Sequence, residues 1–103
     1  MSIEMRAIHL APLDKLRPAV VLTRSRAVGR LSTITVAAIT STIRGIATEI
    51  EVDESNGLQH LSVINVDYIY TFKYERLGRH VGYLRADQEA ALHAGLVRAF
   101  GLA

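Results

Sequence analysis

The 103-residue chain contains no cysteine and no tryptophan, and only two prolines. Without cysteine there is no disulfide framework, no thiolate nucleophile and no thiolate metal site, a composition that fits a reducing compartment. No apolar run approaches the ~20 residues of a membrane-spanning helix, so no membrane association is expected. The opening Met1-Ser2-Ile3-Glu4-Met5-Arg6 lacks the basic-then-apolar layout of a signal peptide, and a cytoplasmic location is the expectation. There is no Gly-x-Ser-x-Gly, no glycine-rich phosphate loop and no Cys/His zinc spacing. The four histidines, His9, His60, His80 and His93, fall in separate segments, none with a neighbour at metal-ligand spacing. Only folding brings any two of them together. No metal and no cofactor is expected, and neither repeats nor low-complexity segments are visible.

What is present is an apolar, arginine-bearing chain. Half of the residues are hydrophobic, so a packed core is expected and disorder is not. The length suits one domain over residues 1–103. Net charge is only +2, yet 10 of the 12 basic residues are arginine. The planar guanidinium forms paired hydrogen bonds to phosphate and stays charged, which suits a nucleic-acid partner as well as ordinary solvation.

The stretch Leu16-Arg17-Pro18-Ala19-Val20-Val21-Leu22-Thr23 sets the reading of the rest. Val20 and Val21 favour extended backbone. Pro18 gives no N–H to a sheet ladder and is expected at the first residue of a strand, with Arg17 held extended before it. A second run, Thr33 to Thr40, alternates threonine with Ile34 and Val36, becomes wholly apolar from Val36 to Ile39, and ends in Thr40-Ser41. Arg17 and Thr40 are expected to meet across two paired strands.

Around these, strands are predicted over Met5–Leu10, Ala19–Thr23, Ala47–Asp53, Leu61–Val66 and His80–Leu84, with Tyr68–Phe72 as strand or extended chain. Ala11–Leu16 is a connection with Pro12 and Asp14 as turn residues. Arg24–Arg30 is a polar loop, read equally as a phosphate-facing patch or a solvated one. Glu49, Glu51 and Asp53 alternate with apolar residues and are read as a solvated face rather than a metal cluster. Tyr74–Gly78 is a helical turn. Asp87 is expected to cap a final helix with the apolar stripe Leu92, Leu96, Ala99 and Phe100, closed by Gly101 in left-handed conformation. Short strands with one terminal helix indicate class α+β, as a strongly bent sheet or barrel.

Five segments in order carry a resemblance. They are Leu16–Leu22, Ile34–Ser41, Ile43–Ile50, Ser62–Ile69 and Arg76–Leu84, followed by the terminal helix. Together they resemble the MazF/PemK toxin family over nearly the whole chain. The resemblance implies an SH3-like β-barrel with a C-terminal helix, and a homodimer. It implies a sequence-specific, metal-independent endoribonuclease acting on single-stranded RNA as the toxin of a type II toxin–antitoxin pair. A cognate antitoxin would cover the site with a disordered segment. Carried over by residue, Arg17 and Thr40 are catalytic. Asp14, Lys15, Ser41, Thr42, Arg44, Asn65, Asp67 and Tyr68 are expected to contact RNA.

The implied chemistry is self-consistent, because RNA supplies its own nucleophile, the 2′-OH, and the enzyme has to align it and stabilise charge on the phosphate. Attack leaves 2′,3′-cyclic phosphate and 5′-OH ends. The chain departs from many relatives in its short segment before Arg17-Pro18, which has Asp14 as the lone acid, and in Ala7-Ile8-His9-Leu10 at its first strand. Tyr68 and Tyr70 either stack bases or pack at the dimer interface. The alternative is a non-enzymatic toxin of the same fold, CcdB-like, that binds and poisons DNA gyrase.

Overall fold

The computed structural model describes residues 4–102. Its frame is a six-stranded antiparallel sheet in the order β4-β5-β3-β2-β1-β6. The strands are β1 (Ala7–Pro12), β2 (Leu16–Val21), β3 (Thr33–Thr40), β4 (Glu49–Val52), β5 (Ser62–Lys73) and β6 (His80–Tyr83), and one helix, α1 (Ala86–Phe100), follows. Short 3₁₀ turns lie at Glu54–Asn56 and Tyr74–Arg76. The fold is α+β, as expected.

Two irregularities bend the sheet. β3 and β5 pair in register from Thr33↔Lys73 to Ala37↔Ile69, then jump to Ala38↔Asn65. β1 and β6 slip between Ile8 and His9. The first leaves Val66, Asp67 and Tyr68 of β5 without partners on β3 and the second leaves Val81 of β6 without one on β1, and such irregularities bend the strand and raise the local twist. The curl brings the two sheet edges together at the turn after β4. There the buried Asn56 donates through Nδ2 to the Tyr83 carbonyl, 2.8 Å away. Only glycine fits at Gly82, where a Cβ would collide with the Asn56 carbonyl oxygen.

The main core lies on the concave face. Ile8, Val20, Ala37, Ile39, Ile50, Val52, Ile64 and Val66 meet Leu92 of α1, with Leu96 and Ala99 packed alongside. A smaller cluster of Ala11, Ala19 and Val36 lies apart from it, covered by Leu13, Tyr70, Phe72 and Leu77. The apolar end of β3 is thus covered on both faces, as its sequence predicts. Helix α1 is tied down by a reciprocal amide pair. Asn56 Nδ2 donates to Gln88 Oε1 at 2.7 Å, and Gln88 Nε2 donates to Asn56 Oδ1 at 3.0 Å. Gln88 also reaches the Glu51 carbonyl and the Arg85 N–H, so this buried polar pair is well satisfied.

Several boundaries differ from expectation for physical reasons. β1 starts at Ala7 because Arg6 is left-handed, with φ at 68°, and ends at Pro12 rather than Leu10. The connection before β2 therefore shrinks to Leu13–Lys15, closed by the Leu13 N–H on the carbonyls of Ala11 and Lys15. Pro18 is the third residue of β2, not the first. It is tolerated there because β2 pairs with β3 only from Ala19 onward. Asp87 does not cap α1. Arg85 takes the N-cap position, its N–H bound by Gln88 Oε1 at 2.9 Å, while Asp87 pairs with the Arg85 guanidinium. Gly101 closes the helix in left-handed conformation as expected, at φ 62°. No helix among the described residues is long and apolar enough to cross a membrane.

Candidate functional site

Arg17 lies opposite Ala11 on β1, at the end of β2 that runs beyond its pairing with β3. Ala19 and Ala38 are the last partners of that pairing. Arg17 precedes Ala19 by two residues and Thr40 follows Ala38 by two, so both side chains leave the same sheet face at the same end. Arg17 and Thr40 line one cleft together, as the sequence predicts.

The guanidinium is fixed by Asp14. Arg17 Nε donates to Asp14 Oδ1 at 2.9 Å and Nη2 to Oδ2 at 2.8 Å. This bidentate pair holds the plane of the fork and leaves Nη1 uncommitted to Asp14. The Arg17 side chain is 18% exposed against 57% for Asp14, so the cation is presented from a sheltered wall. The hydrogen bonds from Arg17 hold the Asp14 carboxyl below its usual value. Thr40 Oγ1 accepts the Thr42 N–H at 3.2 Å. That contact satisfies backbone and fixes the hydroxyl position, yet uses a lone pair and leaves the O–H to donate elsewhere.

The cleft, of about 250 Å³, is lined by Asp14, Arg17, Ala38, Thr40, Thr42, Arg44, Asn65, Tyr68 and Tyr70. Asn65 faces Ala38 on one side and Glu49 on the other. It is buried, with Oδ1 accepting the Asp67 N–H at 3.0 Å, which leaves its amide hydrogens as the remaining donors. Tyr68 is 46% exposed, and its hydroxyl beside the Arg44 guanidinium raises the Arg44 pKa further. Tyr70 lines the same cleft while packing on the Ala11, Ala19 and Val36 cluster.

Of the residues expected to contact RNA, Asp14, Thr42, Arg44, Asn65 and Tyr68 thus gather around Arg17 and Thr40. Lys15 and Ser41 line a second cleft, which shares Arg17 and Thr40. Asp67 lines neither; its Oδ2 accepts the Thr48 hydroxyl at 2.7 Å. Arg24, Arg26 and Arg30 are exposed in their loop and line neither cleft.

The acidic face is more than solvated surface. Glu49 receives the N–H groups of Arg44, Gly45 and Ile46, at 2.8–3.4 Å, and so shapes the loop that carries Arg44. Asp53 accepts the Ser55 N–H and caps the 3₁₀ turn after β4. Alternation along a strand reveals which side faces out, not which loop amides a carboxylate will meet. Folding also pairs two of the four histidines. His9 and His80 are cross-strand partners with ring centroids 5.1 Å apart, but neither lines a cleft with Arg17. Among the described residues no group of three or more His, Cys, Asp or Glu side chains is placed to hold a metal ion.

Residues 8–100 match a family described as the PemK-like, MazF-like toxin of type II toxin–antitoxin systems. The endoribonuclease MazF3 of Mycobacterium tuberculosis (strain CDC 1551 / Oshkosh) is 49% identical over 98 residues, 95% of each chain. The structure of the Mycobacterium tuberculosis toxin MazF-mt6 superposes with a TM-score of 0.90 at 48% identity, over 93% of this chain and 97% of that one. An endoribonuclease from a mycobacterial species, in complex with its cognate antitoxin, shares the fold with a TM-score of 0.89 at 19% identity over 99% and 98% of the chains. Matching the family over residues 8–100 and nearly half identical to an endoribonuclease along almost its whole length, the protein belongs to the PemK-like, MazF-like toxin family of type II toxin–antitoxin systems.

Proposed function

We propose that the cleft holding Arg17 and Thr40 cuts single-stranded RNA through attack by the substrate's own 2′-OH. The protein is a toxin endoribonuclease of a toxin–antitoxin system. The observation that carries the site reading is the pairing of a sheltered, Asp14-oriented guanidinium with a strand-end hydroxyl in one cleft.

In this mechanism the scissile phosphate rests between the two side chains. As the 2′-oxygen bonds to phosphorus it gives up its proton, and the 5′-oxygen gains one as its bond to phosphorus breaks. Arg17 keeps its charge throughout, since a guanidinium does not deprotonate in proteins. Its part is to stabilise negative charge growing on the phosphate oxygens, where a fixed cation is worth most. Thr40 donates to one of those oxygens. Tyr68 offers a face on which a neighbouring base stacks, and Asn65 offers amide donors to its edge.

A homodimer completes the assembly in this reading. Leu16, Phe100 and Leu102 are exposed apolar side chains that a second copy would cover. The acidic, disordered segment of an antitoxin would compete with RNA for Arg17 and Arg44.

The test is cleavage of an unstructured RNA with and without EDTA, followed by analysis of the new ends. Cutting that survives chelation and leaves 2′,3′-cyclic phosphate and 5′-OH ends is expected. Ends of the opposite kind, a 3′-OH and a 5′-phosphate, would rule the mechanism out.

A further inference from the structure

Arg17 and Thr40 form a wall between two cavities. On the far side from Tyr68 and Asn65 lies a larger cleft of about 510 Å³, within the roughly 300–1,000 Å³ of small-ligand sites. It is built from the loop after the 3₁₀ turn, which contributes Gly57 to His60, from Lys15 in the β1–β2 turn, and from Arg79 just before β6.

Its charge differs from that of the first cleft. Lys15, Arg17 and Arg79 line it, with His60 and Gln59 beside them, and no aspartate or glutamate does. Among the described residues neither Lys15 nor Arg79 has an ion-pair partner. Cations left unpaired around a concave surface attract anions, and their joint field is strongest inside the cleft. The first cleft offers an aromatic face and amide donors, which suit a base. The second offers cations over an apolar floor of Leu10, Pro18, Ile39 and Val81, which suits a phosphate with its sugar.

We propose that this second cleft is a subsite for the RNA nucleotide on the other side of the cut, with Arg79 and Lys15 holding the phosphate next to the scissile one. This rests on the reading of Arg17 and Thr40 as the cutting pair. A strand whose scissile phosphate sits on their shared wall has neighbours on both sides, and the two clefts are where those neighbours go. Binding energy gathered one nucleotide away then holds the reacting phosphate against Arg17. Arg79 is well set for this because its main chain is anchored, its carbonyl accepting the Leu10 N–H at 2.9 Å, while its side chain is exposed.

The test uses two RNAs with a 2′-deoxy sugar at the mapped cut site. One is trimmed to a single nucleotide on each side, and the other is extended in both directions. Wild-type protein is expected to bind the extended RNA more tightly, with a steeper dependence on salt. Arg79→Gln and Lys15→Gln should each remove about tenfold of that gain and lower the salt slope by about 0.7, the share of one single-strand phosphate. Should Arg79→Gln fail to fold, Lys15→Gln, in an exposed turn, carries the comparison alone.

If wild type cuts RNA but extension adds no affinity, or the variants keep the full gain, the subsite is wrong while the cutting pair stands. If RNA extension adds nothing and an acidic peptide instead binds in a Lys15- and Arg79-dependent manner, the cleft belongs to a protein partner. If wild type cuts no RNA at all, the underlying reading and the subsite fail together.

Discussion

The Arg17–Asp14 pair is where chemistry and local geometry meet. Arg17→Ala should lower cleavage by about 10²–10³-fold while the melting temperature stays close to wild type, since the side chain belongs to neither apolar cluster. Arg17→Lys should be nearly as impaired, because a point charge cannot hold Asp14 with two bonds and still face phosphate. A cleavage assay beside a melting curve checks both. Asp14→Asn keeps the shape but weakens the clamp, and should reduce turnover by about tenfold with a smaller change in KM. The pH dependence follows from the depressed Asp14 pKa. A carboxyl whose folded value lies below its unfolded one stabilises the native state above the unfolded value, and loses that contribution as pH falls through the folded value. The window therefore lies below about pH 4. An Asp14-dependent change in the cleavage profile should be absent from neutral pH down to that range. That Arg17 and Thr40 meet was legible in the sequence, because both flank apolar, β-branched runs that pair as strands, whereas Asp14 came only with the family resemblance. Asp67 lies outside both clefts, its carboxylate bound to Thr48, and periodicity does not reveal Arg79, whose cleft forms only when β6 lies beside β1.

At the scale of elements, the site depends on loops set by side chains of neighbouring strands. Glu49 gathers three successive amides of the segment that carries Arg44. Glu49→Ala should leave those N–H groups to water, speed hydrogen exchange at Arg44 and Gly45 selectively, and reduce cleavage severalfold with a stability loss of about 1–2 kcal/mol. Unchanged exchange there would show that the loop holds itself. Most elements were legible from periodicity alone. β3 emerged with its bounds intact, because alternation followed by an apolar run is a strong signal. β5 was harder to read. Ser62–Lys73 is one strand, yet the jump in pairing from Ile69 to Asn65 interrupts its pattern at Val66-Asp67-Tyr68. A bulge shifts which side chains face inward, so a continuous strand looks like two. The cap of α1 was hidden for another reason: Gln88 is claimed by both the helix start and the buried Asn56, a tertiary choice that local preference for Asp87 does not contain.

For the whole molecule, the two sheet edges meet at the Asn56 turn, and apolar side chains at Leu16, Phe100 and Leu102 are exposed. Sedimentation at micromolar concentration should show a dimer, and charge placed at Phe100 should shift it toward monomer. A monomer throughout would contradict that assembly. The fold class was readable because the chain alternates short strands with turn residues. The second cleft was not, since it is a surface assembled by distant segments. The claim that ties these scales together is that the substrate supplies the nucleophile and the protein supplies alignment and charge. One substitution in the RNA tests it: removal of the single 2′-OH on the 5′ side of the cut phosphate. The modified strand should bind wild-type protein with nearly unchanged affinity and remain uncut, because the phosphate and base contacts persist while only the attacking oxygen is lost. Cleavage of that strand at the same bond would contradict the mechanism outright.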